Sequence, residues 1–358
     1  MANRRQFLAG LLATGLTPKT TWADAGGPTY LSAAAKPDGS FVLCGIDAAC
    51  NILFELPLPT RGHAAAAHPS RPEAVAFARR PGTFAMIIDC VTGESSALLD
   101  APAGRHFYGH GAFSADGTWL FTTENDYEAG EGRIGVWDAT RGYARVDEFS
   151  SGGIGPHDIK RLSGSDMLVV ANGGIDTHPD SGRTKLNIPT MVPNLAYVAD
   201  GKVLETAELP PEWHKNSIRH LAVARDGQVA FGMQWQGDKL EPALVGVHQT
   251  GAELRLLSAP ADALREMQAY VGSIAFTDDD RQVVVTSPRG GIVQTYDVDA
   301  EALIGETRLT DVCGVALADG GVLTSTGTGA LVHLNGTRAE TRSIAQLQWD
   351  NHLVRLDA

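Results

Sequence analysis

Long apolar runs are missing from this chain. The longest candidate, residues 7–16, is too short to cross a bilayer, so no integral membrane span is expected. Basic residues are in the minority, 29 Lys and Arg against 42 Asp and Glu, and the net charge is −13. That balance argues against nucleic acid or an anionic membrane surface as a partner. Cysteines number four, Cys44, Cys50, Cys90 and Cys313, and their spacing fits neither a zinc ribbon nor a Cys-x-x-Cys site. Cys44 and Cys50 flank the end of one predicted strand and Cys90 holds a related place in the next unit. A disulfide within this group and buried free thiols both remain open. No Gly-x-Ser-x-Gly elbow, P-loop or Rossmann glycine pattern occurs. Helical periodicity is also lacking, with one short helix over 261–270 as the nearest candidate.

What the chain does contain is glycine, 40 residues, with 18 prolines, a composition suited to many short strands and tight turns. Those strands repeat. Gly62-His63-Ala64-Ala65-Ala66-Ala67, Gly109-His110-Gly111-Ala112-Phe113, Pro156-His157-Asp158-Ile159, Arg219-His220-Leu221-Ala222-Val223, Gly272-Ser273-Ile274-Ala275-Phe276 and Cys313-Gly314-Val315-Ala316-Leu317 lie on one template. Asn351-His352-Leu353-Val354-Arg355-Leu356 is a seventh copy. Short strands ending in polar turns and recurring at this interval mark a β-propeller. Each unit should hold four antiparallel strands, termed A (innermost) to D. In the unit headed by His110 they are expected over 110–114, 119–124, 133–138 and 144–149.

The two ends of the propeller sequence complement each other. Residues 30–34, 41–47 and 52–56 read as strands B, C and D with no A strand before them, and 352–356 read as an A strand with no B after it. Together they complete one blade, which removes two exposed sheet edges. The expectation is an all-β, seven-bladed propeller, its blades headed in order by His352, His63, His110, His157, His220, Ser273 and Gly314. It should form a single domain over 26–358. Residues 1–25 read as an export signal: Asn3-Arg4-Arg5-Gln6-Phe7-Leu8 matches the twin-arginine pattern and Ala23-Asp24-Ala25 a cleavage site. The expected location is the periplasm.

Strand parity puts the D-to-A and B-to-C connections on one face. Three B-to-C connections there carry chemistry. Blade three offers Glu124, Asn125 and Asp126, blade four His178, Arg183 and Lys185, and blade five Gln234 and Trp235; Arg105, ahead of His110, joins them as a ligand-binding candidate. Five histidines, His63, His110, His157, His220 and His352, head five consecutive blades. WD-type propellers also carry Gly-His, as a structural group bonded to an aspartate, a hydroxyl and a tryptophan of its own blade. In this chain the histidines fall within the A strand, and only Trp137-Asp138 offers the partner pair. The alternative is an arc of imidazoles at the channel mouth, able to bind Fe, Cu or Zn with Glu124 or Asp126 as oxygen ligands. With pKa values near the ordinary ~6.5, such rings would release metal below about pH 6. Protonated, they could instead take an anion with help from Arg105, Arg183, Lys185 and Arg219.

Arg105-His106-Phe107-Tyr108-Gly109-His110-Gly111-Ala112-Phe113-Ser114, Thr123-Glu124-Asn125-Asp126 and Asn172-Gly173-Gly174-Ile175-Asp176-Thr177-His178-Pro179 resemble the DUF1513 proteins, exported bacterial chains similar to WD40-like and YVTN-type propellers. The resemblance covers nearly the whole mature chain and implies no activity. It implies an association with periplasmic iron handling, with imelysin-like lipoproteins and di-haem oxidoreductases as partners. Three functions follow as expectations. They are a metal-linked protein of iron acquisition, a propeller hydrolase or lactonase using metal-activated water with Glu124 or Asp126 as base, and a protein-docking scaffold without chemistry.

Overall fold

The computed structural model describes residues 19–79, 83–182, 184–238 and 241–356. They form seven four-stranded antiparallel sheets. Six sheets are built from four consecutive strands. The seventh joins the C-terminal strand Gln348–Arg355 to Tyr30–Ala35, Phe41–Ile46 and Ile52–Leu58. The inner strands touch in order around the axis, and Val312–Ala318 meets Gln348–Arg355 to close the ring. The expected seven blades and the expected closure are both present.

Burial explains the strand compositions. B and C strands are covered on both sides by neighbouring blades and are continuously apolar, as in Gln282–Ser287 with Val283, Val284 and Val285. D strands face solvent on one side and alternate, as in Lys202–Glu208. Cys44, Cys50, Cys90 and Cys313 are free and buried, and burial raises their thiol pKa values, to about 12 for Cys44, Cys90 and Cys313. They are protonated, inert core groups.

Two boundaries differ from expectation. In blade three the ladder continues past both predicted ends, Arg105 pairing with Asp126 and Glu131 with Asp126, so strands Trp119–Asp126 and Glu131–Asp138 leave only a tight turn over 127–130. The single α-helix among the described residues, Ala261–Glu266, stops short of Tyr270. No helix among the described residues is long and apolar enough to cross a membrane. The twin-arginine residues lie outside the described residues. Trp22–Ala25 forms one 3-10 turn, and the Trp22 indole donates to the His68 carbonyl at 2.8 Å.

Deleting 351–358 removes the buried side chains of Leu353 and Leu356 and opens the ring. At about 2–5 kcal/mol for each leucine and about 2 °C per kcal/mol for a large domain, calorimetry should show Tm lowered by roughly 10 °C or more. An unchanged Tm would mean that the closure contributes nothing.

Candidate metal centre at the propeller axis

The inner strands are not regular. Ladder register shifts at His63-Ala64, at Tyr108-Gly109-His110, at His157, at Arg219 and at Asp350-Asn351-His352. Each of the five histidines therefore lies at or beside a β-bulge; of the two inner strands without a histidine, the one with Gly314 is bulged at the same place and the one beginning at Ser273 pairs without interruption. A bulge adds a residue to one strand and re-aims its side chains. Here the five bulges turn five imidazoles inward. Gly109, at φ +99°, is required for this: a Cβ there would lie 2.6 Å from the His63 ring.

The rings fill the axis. Centroids are 5.0 Å apart for His63 and His110, 5.1 Å for His110 and His157, and 5.0 Å for His157 and His220. His352 reaches across to His63 and His110 at 4.7 Å and to His220 at 5.1 Å. This cluster separates a cavity of about 190 Å³ on the face of the D-to-A connections from one of about 600 Å³ on the A-to-B side. The arrangement is a packed plug rather than an open ring.

Hydrogen bonding sets the tautomers. Asp158 Oδ1 lies 3.1 Å from His110 Nδ1, and the Arg219 carbonyl 2.9 Å from His157 Nδ1. Carbonyl and carboxylate oxygens only accept, so both rings carry their proton on Nδ1 and aim an Nε2 lone pair at the cluster. His110 Nε2 and His63 Nε2 are 3.2 Å apart, a hydrogen bond in which the His63 N–H donates to the His110 lone pair when no ion is held between them. Two nitrogens held at about 2.0–2.1 Å by one tetrahedral ion are about 3.3 Å apart. Candidate donor atoms of His63, His110 and His352 lie within 4.8 Å of one another, as do those of His110, His157 and His220. His110 belongs to both groups.

Four buried ring nitrogens, His63 Nδ1, both nitrogens of His220 and His352 Nε2, have no hydrogen-bond partner. Burial lowers the pKa of His63, His157 and His352 well below 6.5 and that of His220 to about 3, with neighbouring histidines and the Arg79 or Arg219 charge adding to the effect for His63, His157 and His220. For Asp158 burial acts upward, but Lys160 and His110 together hold the carboxyl well below its usual value. These four imidazoles are neutral donors at pH 7. They are also buried against one another, so the expectation of ordinary histidines at a solvent-filled mouth is corrected.

Asp158 escaped the sequence reading. It bridges three blades, touching His110 and accepting from Ile159 N at 2.8 Å and Leu221 N at 3.0 Å. A signal was present: the residue after the strand-head position is Ala, Gly, Leu, Ile or Val in the other six blades, and an acid only in this one.

The loop candidates divide. Glu124 is buried and turned toward the outer strands of its own blade. It meets Arg145 at 2.6 and 3.0 Å, with Thr122 donating at 3.0 Å and the Trp137 indole donating in turn to Thr122 at 2.9 Å. Arg105 binds Glu148 and lies 3.3 Å from Asp126. Glu124, Asp126 and Glu148 form an ion-pair network with Arg105 and Arg145, and Glu124 is corrected from metal ligand or base to structural anchor. No histidine enters the Trp137 chain, so the WD-type reading of the histidines finds no support. The Asn125 amide donates to the Thr177 carbonyl at 2.9 Å, and the His178 ring packs on Tyr127 at 5.0 Å, joining two loops. Trp235 packs on Trp213 at 5.7 Å. Gln234 lines the small cavity with His63, His157 and His220. Lys185 bonds Gln236, and Arg183 lies outside the described residues.

A family model described as a protein of unknown function, DUF1513, matches residues 56–356. No curated protein matches the chain. A solved structure titled Kuenenia stuttgartiensis hydrazine synthase is similar at TM-score 0.60 and 15% identity, covering 93% of this chain and 99% of that one. At this identity the likeness is one of fold.

Two outcomes follow. Glu124→Gln leaves Arg145 and Arg105 without their buried carboxylate and should cost about 3 kcal/mol in urea unfolding, while metal content is unchanged. For the metal-free protein, depressed histidine pKa values mean that the unfolded chain takes up protons first as pH falls through ~6.5. Stability is therefore full above that pH and should drop steadily toward the folded values, about 3 for His220. Urea midpoints that stay flat from pH 7 to 5 would contradict the buried, neutral cluster.

Proposed function

The chain belongs to the DUF1513 family, and from that premise we propose that it is a metal-binding propeller that holds one transition-metal ion at the histidine plug. The observation that carries this reading is the set of four buried, unpartnered ring nitrogens on three rings, with neutral His220 offering one lone pair and one N–H. Each unsatisfied polar group costs about 1–3 kcal/mol, and a cluster of them calls for a ligand that accepts lone pairs. The groups behind the rings support it: His110 backed by Asp158 and His157 backed by a carbonyl are the supports that metal-binding histidines use. An all-imidazole donor set suits Zn, Cu, Fe or Ni. Iron is the ion favoured by the family resemblance, which also makes periplasmic iron handling the setting, twin-arginine export the route, and imelysin-like and di-haem proteins the partners.

The hydrolase alternative needs a general base. Glu124 and Asp126, the residues proposed for it, are held in ion pairs with Arg145 and Arg105. The scaffold alternative gives no account of the inward-turned histidines.

The test is calorimetry and metal analysis on the full chain with Fe(II) under anaerobic conditions, Cu(II) and Zn(II). The wild type should take up about one ion. Replacing His110 and His157 with glutamine, which spares the volume that alanine would remove, should abolish uptake. Asp158→Asn should weaken it about 10- to 100-fold by freeing the His110 tautomer. Absence of binding by the wild type, or equal binding by the histidine variant, would sink the metal reading. Because burial holds the ring pKa values down, metal should persist below the pH 6 expected for ordinary histidines.

A further inference from the structure

The small cavity above the plug runs against the charge of the chain. It is lined by Arg79 and Arg219 together with Tyr108, Gln234 and Asn351, and among the described residues by no carboxylate. Arg219 and Arg289 act on Lys185, whose pKa burial lowers first and these charges lower further. Arg289 in turn lies over the ring of Tyr270, another wall of the cavity, at 4.3 Å. Asp350 binds Arg79 at 3.1 Å but also binds Arg61 at 2.5 Å, so that trio keeps a net positive charge. A protein of net charge −13 thus gathers cations around one small cavity. The larger cavity on the opposite side differs: carboxylates line it as well, Asp158, Asp278 and Asp280 against Lys160, Arg161, Arg225 and Arg355, and Arg225 is paired with Asp278 and Asp280.

The plug raises the same demand from below. Neutral imidazoles add no negative charge, and Asp158 supplies a single one. A divalent or trivalent ion buried there would leave uncompensated charge in a low-dielectric site, which is costly. We propose that the Arg79–Arg219 cavity binds a small, multiply charged oxyanion of carboxylate or phosphate type, with one end on the cations and the other toward the histidine centre. The contact with the centre rests on the metal reading; the contact with the cations does not. The volume of about 190 Å³ admits a single small anion and excludes a macromolecule. The ligand class is then a metal–anion pair, or the anion alone, entering from the face of the D-to-A connections.

The experiment is calorimetric titration of oxalate, citrate and inorganic phosphate into the metal-free and the zinc-loaded full chain, zinc content being measured in each sample. Binding of one of these anions is expected, tighter in the zinc form. The double variant Arg219→Gln, Lys185→Gln should weaken it about tenfold or more, and Arg225→Gln, on the opposite cavity, should not. The carboxylate and phosphate arms identify which oxyanion the site prefers. Anion binding to a chain that takes no zinc upholds this proposal while the metal reading fails; zinc uptake with no anion binding in either form does the reverse. Binding undiminished in the double variant also overturns it.

Discussion

Ring closure is the constraint on which both fold and site depend. Tyr30 pairs with Arg355, Leu31 with Val354 and Ser32 with Leu353, so the first and last strands of the propeller share one sheet. Without that pairing two strand edges would be open to other chains. The same pairing delivers chemistry. The bulge opposite Ala33 carries Asp350 and His352, and the Ser32 hydroxyl donates to the His352 carbonyl at 2.9 Å. His352 then reaches across the axis to three other rings, and Asp350 anchors Arg61 and Arg79 beside the upper cavity.

Burial converts His63, His157, His220 and His352 from ordinary titrating groups into neutral donors. Five imidazoles in one place would repel if protonated, and desolvation makes protonation costlier still. The fold accepts unpartnered ring nitrogens at its centre, where an apolar plug of the same volume would be more stable. Local cost at a defined point of an otherwise regular scaffold is the usual signature of function rather than of folding. The ion-pair network of Glu124, Arg105, Arg145 and Glu148 has the opposite character. Every one of its groups is satisfied within a single blade, and it locks strands A, B and D together without facing the axis.

Period, turn residues and strand heads in the sequence by themselves determined seven blades, the shared first blade and the five histidines at equivalent positions. These are local patterns, and an alternating strand with its polar turn is written in consecutive residues. They carried the net charge of −13 as well, since it follows from composition. Tertiary structure alone decided what the side chains do. The bulges that turn the rings inward are register shifts between two strands and leave no mark in either one. Asp158 meets His110 from the next blade, and Arg79 meets Asp350 across 271 positions. Glu124 looked like a ligand because its loop looked long, and only the pairing that continues past it, of Glu131 with Asp126, placed it inside a strand facing Arg145. Contacts between blades depend on how seven sheets close around an axis, and that geometry is a property of the ring, not of any segment within it.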